Sequence, residues 1–218
     1  MYEILYREDL APVTKLIEVK APLVARKARA GQFVVIRVNS KGERIPLTIA
    51  DFDREKGTLT LIFQEVGKTT MMLGTKRAGD HLASVVGPLG HPSEIEAYGT
   101  VVCVGGGVGI APIFPIAREL KQAGNRVISI IGARNKDLLF WEDRMRSVSD
   151  ELVVTTDDGS YGRKALVTEP LKEMLADGLK PARIWAIGPA IMMKFVSLTT
   201  QPFGAPTIVS LNSIMVDG

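Results

Sequence analysis

The sequence predicts a β-barrel plus α/β architecture, in which a small antiparallel barrel is followed by a doubly wound domain on a parallel sheet. Three observations lead there. The first 98 or so of 218 residues are short, β-branched stretches separated by polar turns. After Tyr98-Gly99, apolar strands alternate with amphipathic helices. The first strand of that second half runs into a glycine-rich turn, Gly105-Gly106-Gly107-Val108-Gly109, that opens a helix.

In the first half, Val13–Lys20, Gln32–Val38, Ile45–Asp51, Thr58–Gln64 and His81–Val86 read as strands, and Met1–Tyr6 as a sixth. Turns at Ala30-Gly31, Ser40-Lys41-Gly42, Lys56-Gly57 and Ala78-Gly79-Asp80 separate them, which is the spacing of a small barrel. A short helix is expected over Thr69–Gly74. In the second half the expected order is strand Thr100–Val104, helix Ala111–Ala123, strand Arg126–Ile131, helix Asp137–Val148 and strand Glu151–Thr156. Helix Thr168–Ala176, strand Arg183–Ile187, helix Ala190–Leu198 and strand Thr207–Ser210 complete it. Near-continuous apolar strands alternating with helices mean a parallel sheet covered on both faces.

Composition narrows the function. Lys plus Arg number 27 and Asp plus Glu 24, for a net charge of +3. Residues 1–98 carry 14 basic and 12 acidic side chains, and residues 99–218 carry 13 and 12. A nucleic-acid partner calls for a clustered or lopsided positive charge, so none is expected. No apolar run approaches the roughly 18 residues of a membrane helix. The N-terminus MYEILYREDL lacks the basic-then-apolar order of a signal peptide, and a cytoplasmic location is expected. The one cysteine, Cys103, and two histidines, His81 and His91, leave no metal site built from Cys and His in this chain. Cys103 reads as a buried strand thiol and Trp141 and Trp185 as packing residues. Met71-Met72 and Met192-Met193 read as core filler.

The strongest motif is the glycine-rich turn. Glycines allow positive φ and close approach of a ligand to the backbone. A helix N-terminus offers free N–H groups and partial positive charge to a phosphate. Four glycines in the five positions 105–109 exceed what a plain strand-to-helix turn needs. Arg44-Ile45-Pro46-Leu47-Thr48 and Val66-Gly67-Lys68-Thr69-Thr70 are weaker alone: a bent edge strand and an ordinary helix cap would look the same. Asp157, Asp158 and Gly159 follow the third strand of the α/β half, where loops face the ligand crevice, though Asp-Gly is also a common plain turn.

Taken together and in order, Arg44–Thr48, Gly67–Thr70, Gly87–Gly90, Gly106–Pro112 and Gly188-Pro189 resemble the motif series of the ferredoxin–NADP reductase superfamily, and Gly31-Gln32-Phe33-Val34 resembles its barrel strand before the flavin motif. The resemblance covers essentially the whole chain. Within the superfamily it is strongest to the electron-transfer subunits of dihydroorotate dehydrogenase B and the small subunits of NADH-dependent ferredoxin–NADP oxidoreductase, also called sulfide dehydrogenase.

That resemblance implies an FAD-binding barrel over residues 1–98 and an NAD(P)-binding domain over 99–218. It implies a flavin phosphate at Arg44, with the isoalloxazine lined by Pro46, Leu47 and Thr48. Thr48 would be the catalytic-site residue, a hydrogen-bond partner near N5. Val66, Gly67, Thr69 and Thr70 would hold the diphosphate. Gly106, Gly107, Val108 and Gly109 would form the nicotinamide-nucleotide turn, with Asp157 and Asp158 as further contacts. Gly188, Pro189 and Met192 would lie beside the nicotinamide. NAD(H) is favoured over NADP(H), although Arg134 in Gly132-Ala133-Arg134-Asn135 would suit a 2′-phosphate.

The implied activity is hydride exchange between NAD(P)H and FAD, with relay to an iron–sulfur centre, a larger oxidoreductase subunit as partner and ferredoxin as a further carrier. In the family a cysteine-rich [2Fe–2S] segment follows the V-D-G that here is Val216-Asp217-Gly218. A four-cysteine cluster cannot come from Cys103 alone, so a segment beyond 218 would have to supply it. A stand-alone flavin reductase and a non-catalytic structural subunit are the alternative readings.

Overall fold

The computed structural model describes residues 1–211; the Val216-Asp217-Gly218 end lies outside them. The first half forms strands β1 (Tyr2–Ala11), β2 (Thr14–Lys20), β3 (Phe33–Arg37), β4 (Arg44–Asp53), β5 (Thr58–Gln64), β6 (His81–Leu82) and β7 (Ser84–Leu89), with helices α1 (Pro22–Ala25) and α2 (Lys68–Gly74). The strands make one antiparallel sheet of order β6-β1-β2-β5-β4-β3-β7. Its two end strands are separated in the chain by Ala83 alone, so the sheet must curl until its ends meet. The interior holds Ile17, Val34, Ile36, Ile49, Leu59, Leu61 and Leu82. These positions alternate along their strands, as a barrel filled with side chains requires.

The second half contributes β8 (Thr100–Gly106), α3 (Ile110–Gln122), β9 (Arg126–Ala133), α4 (Glu142–Ser147), β10 (Glu151–Thr156), β11 (Arg163–Lys164), α5 (Thr168–Ala176), β12 (Arg183–Ile187), α6 (Ala190–Thr200) and β13 (Thr207–Val209). The six strands are parallel in order β11-β10-β9-β8-β12-β13. Alternate residues pack on opposite faces. Val101, Cys103 and Trp185 join α3, Met145 and Val148, whereas Val102, Val104, Ile184 and Ala186 join Leu171, Leu175 and Val196 of α5 and α6. The doubly wound sheet is therefore present. Burial pushes the Cys103 thiol up to about 12, which leaves it protonated and inert.

The predicted helix over Asp137–Val148 is not continuous. A 3₁₀ turn at Lys136–Leu138 is followed by extended residues, and α4 starts only at Glu142. Phe140 turns inward to 7% exposure, and Trp141, at φ 59°, takes the left-handed conformation that reverses the chain. The apolar residues there are buried by a bend, not by one helix face. The expected strand His81–Val86 is two strands, and the second runs on through Gly87-Pro88-Leu89. Helix α1 and strand β11 carry no clear sequence signal, being only 4 and 2 residues long.

The two halves share a core. Leu16, Ala30, Ala50 and Ile62 of the barrel belong to the same buried cluster as Ile113, Phe114 and Ala117 of α3. The Ala30 N–H donates to Glu119 Oε1 at 3.3 Å, and Asp51 of β4 pairs with Arg118 of α3 and Arg144 of α4.

Candidate functional site

On the outer face of β4 the alternation of a strand puts Arg44, Pro46 and Thr48 together. Antiparallel register sets them against Arg37, Val35 and Phe33 of β3, respectively. Strand β7 extends the face, with Val86 opposite Val35 and Leu89 opposite Phe33. Val35, Pro46 and Val86 form an apolar shelf on which Val86 is 51% exposed. Leu47 points the other way, into the barrel core beside Val34, and can reach the shelf only through its backbone.

At one end of this shelf Arg37 and Arg44 stand directly across from each other. Like charges at opposed positions are destabilising. The Nε of Arg37 is buried and has no hydrogen-bond partner within the protein. A buried guanidinium nitrogen left unpaired costs about 1–3 kcal/mol or more. An anion at this point would offset both penalties.

Next to it lies the start of α2. Thr70 Oγ1 accepts from the N–H groups of Val66 and Gly67 at 3.1 and 3.0 Å, closing the turn. The buried Thr69 hydroxyl donates to Glu43 Oε2 at 2.8 Å. Both hydroxyls thus have protein partners. The N–H groups of Lys68, Thr69 and Thr70 precede the helical ladder and have no partner within it.

In the parallel sheet the chain leaves β8 toward β9 and later returns to β12 on the other side, so the strand order reverses between β8 and β12. Ligands of such sheets bind outside the carboxyl ends of the strands at this reversal. The glycines there have different tasks. Gly107 sits at φ +54° and a Cβ on it would meet nothing within 4 Å. A Cβ on Gly109 would overlap the Ile187 carbonyl oxygen, so this glycine lets α3 press against the end of β12. A Cβ on Gly106 would overlap the Met192 sulfur, and one on Gly188 would lie 2.8 Å from Met192 Cε. Met192 therefore fills the gap between the ends of β8 and β12; Val108 follows Gly107 in the turn, and Pro189 caps α6. Gly107 is the open position of the turn.

At the ends of β9 and β10 the N–H groups of Asp157 and Asp158 donate to Ala133 O and Arg134 O at 3.1 and 3.2 Å. The Lys136 N–H donates to Ser160 Oγ at 2.8 Å, and the Ser160 N–H to Asp158 Oδ1 at 2.9 Å. Hydrogen bonds from the Ser160 side chain and then its N–H hold the Asp158 carboxyl below the usual range. The Asp157 carboxyl is raised, first by partial burial and then by the Asp158 charge, with Arg134 opposing. Asn135, between these loops, has a buried Oδ1 without a partner. Among the described residues Arg37 Nε and Asn135 Oδ1 are the buried side-chain polar atoms left unpaired, one on each half of the molecule. Neither residue stands out by type, since each shows its role only through register and burial.

A barrel with an arginine-flanked apolar shelf, joined to a doubly wound sheet with an open glycine turn at its reversal, defines an NAD(P)H oxidoreductase of the ferredoxin–NADP reductase class. A model of the oxidoreductase NAD-binding domain family matches residues 103–198. The chain is 52% identical over 200 residues to a homologue of the dihydroorotate dehydrogenase B (NAD(+)) electron transfer subunit from Thermotoga maritima, spanning 92% of this chain and 70% of that one. It is 36% identical over 210 residues to the corresponding subunit of Desulforamulus reducens, spanning 94% and 79%. A solved NADH-dependent reduced ferredoxin–NADP oxidoreductase superposes with a TM-score of 0.92 at 48% identity, over 100% of this chain and 78% of that one. The chain belongs to the family of dihydroorotate dehydrogenase B electron-transfer subunits, and it is an oxidoreductase subunit that relays electrons. No helix among the described residues is long and apolar enough to cross a membrane.

Proposed function

We propose that the barrel, residues 1–98, holds FAD, that residues 99–218 hold NADH in preference to NADPH, and that the chain passes electrons to a larger oxidoreductase subunit. Ferredoxin and an iron–sulfur centre would be further carriers in that relay. When both are bound, the cofactors supply the redox chemistry, a hydride moving from nicotinamide C4 to flavin N5. The protein's part is to bind and orient.

The observation that carries this reading is the Arg37–Arg44 cross-strand pair with its unpaired buried Nε. A diphosphate between them satisfies a donor set that is otherwise repulsive. Lys68, Thr69 and Thr70 add first-turn N–H groups, Gly67 caps that turn, and Val66 borders it at 78% exposure. Pro46 and Thr48 would face the isoalloxazine, with the Thr48 hydroxyl suited to hydrogen-bond near N5. Gly107 lets the nucleotide approach the backbone. Gly106, Val108, Gly109, Gly188, Pro189 and Met192 shape the nicotinamide side.

Asp157 and Asp158 support the choice of NADH. Their N–H groups bind Ala133 O and Arg134 O, which sets both carboxylates beside the loop after the second strand of this domain, where the ribose is read, and negative charge there repels a 2′-phosphate. The test is flavin uptake followed by fluorescence quenching. Arg37→Met is expected to weaken FAD binding about tenfold to a hundredfold, since hydrogen bonds to charged groups contribute about 1.5–3 kcal/mol. Unchanged FAD affinity in that variant would remove the central support.

A further inference from the structure

Asp51 lies on β4 only three residues beyond Thr48, yet it faces the other half of the molecule. The cause is a register irregularity between Ile49 and Asp51 in the pairing of β4 with β5. Such bulges re-aim side chains. Here Ile49 stays in the barrel core and Ala50 joins the core shared with α3. The Asp51 carboxylate is turned onto two guanidinium groups. Its Oδ1 accepts from Arg118 of α3 and from the Phe52 N–H at 2.8 Å, and its Oδ2 accepts from Arg144 of α4.

The guanidiniums are themselves fixed by aromatic faces. Arg118 lies 5.2 Å from the Phe52 ring centre and 5.4 Å from that of Phe114. Arg144 lies 4.1 Å from Trp141 and 4.5 Å from Phe114. Trp141 is the one described non-glycine residue with positive φ, and it meets Phe114 edge-on at 5.3 Å.

Three elements are thus tied to one carboxylate that is 9% exposed. Strand β4 carries the Arg44–Thr48 shelf. Helix α3 starts from the Gly107–Gly109 turn. Helix α4 follows the Arg134–Asn135 loop. A partly buried ion cluster of this kind adds little net stability, because desolvation offsets its attraction. The shared apolar core already holds the halves together. The ion cluster ties β4 to α3 and α4 by directional contacts.

We propose that Asp51 is a positioning residue for hydride transfer, setting the attitude of the nucleotide-binding half on the barrel so that nicotinamide and flavin meet at reacting distance. The inference rests on the FAD and NADH reading above. A misplacement of about 1 Å can cost about a hundredfold in rate, so a joint remote from the reacting atoms can still govern the rate.

The test is anaerobic stopped-flow reduction of the FAD-loaded protein by NADH, for the parent and for Asp51→Asn, which keeps the side-chain shape and removes the charge. The limiting rate of flavin bleaching is expected to fall about tenfold to a hundredfold. The NADH concentration at half-maximal rate and the flavin content should stay within twofold, and the long-wavelength absorbance of the nicotinamide–flavin complex should weaken. A variant with a lower Tm but an unchanged limiting rate and unchanged long-wavelength band would overturn the proposal, because Asp51 would then be structural only. If Asp51→Asn does not fold, Arg144→Met carries the same expectation while leaving the Arg118 pair in place, and Arg144→Lys should restore part of the rate. Parent protein that takes up FAD but is not bleached by NADH would refute the cofactor reading itself, and the positioning role with it.

Discussion

Arg37 and Arg44 differ in how visible they are. Arg44 is legible only because Arg44–Thr48 matches the family's motif series; alone that stretch reads equally as a bent edge strand. Arg37 is not, because nothing in Phe33-Val34-Val35-Ile36-Arg37 says that it will stand opposite another arginine. That is a matter of register, decided by the whole sheet. The same holds for Asn135, whose neighbour Arg134 is the more obvious candidate by charge. Removing the Arg37 charge relieves repulsion in the ligand-free protein, so Arg37→Met should lower FAD affinity without lowering the thermal midpoint of the apoprotein. The glycines separate just as sharply. Gly107→Val should weaken NADH binding at least tenfold, about 1.4 kcal/mol, with FAD retained, because Gly107 faces open space. Equilibrium titration of each ligand checks both. For Asp158→Asn, NADPH affinity should rise about tenfold with NADH nearly unchanged, since the opposing charge goes while a hydrogen-bonding oxygen remains.

Helix α3 shows how packing overrides local preference. Pro115 lies inside it and removes one ladder hydrogen bond, a cost of about 3 kcal/mol. Ile110, Ile113, Ile116, Ala117 and Leu120 are all at or below 1% exposure along the same helix, and their burial offsets it. The helix start depends on Gly109. Gly109→Ala drives a methyl group into Ile187 O and is expected to destabilise by about 1–3 kcal/mol or more, losing FAD and NADH binding together, as thermal melting and titration would report. Strands and long helices are legible because their period is strong. The Asp137–Val148 segment is not, because a bend that buries Phe140 mimics helical amphipathicity. At the C-terminal end of α3, Asp150 accepts from Lys121 and from the Val127 N–H, and these bonds hold its carboxyl below the usual range. A depressed carboxyl contributes stability that is present above its ordinary value of 3.8 and is lost as pH falls through the lower folded value. Asp150→Asn should therefore flatten the acid limb of the stability–pH profile.

At the scale of the molecule, the division into barrel and parallel sheet follows from where strand-turn spacing gives way to strand–helix alternation near Tyr98-Gly99. The joint between them is silent in the sequence, since Asp51, Arg118 and Arg144 are far apart in the chain and look like ordinary surface charges. The central claim is that one half holds a flavin and the other delivers hydride to it. Anaerobic titration of the FAD-loaded protein with NADH, and with NADPH in parallel, tests that directly through the visible flavin spectrum. The account predicts stoichiometric bleaching by NADH and a much weaker response to NADPH. A protein that takes up no FAD, or whose bound flavin stays oxidised in excess NADH, would contradict it.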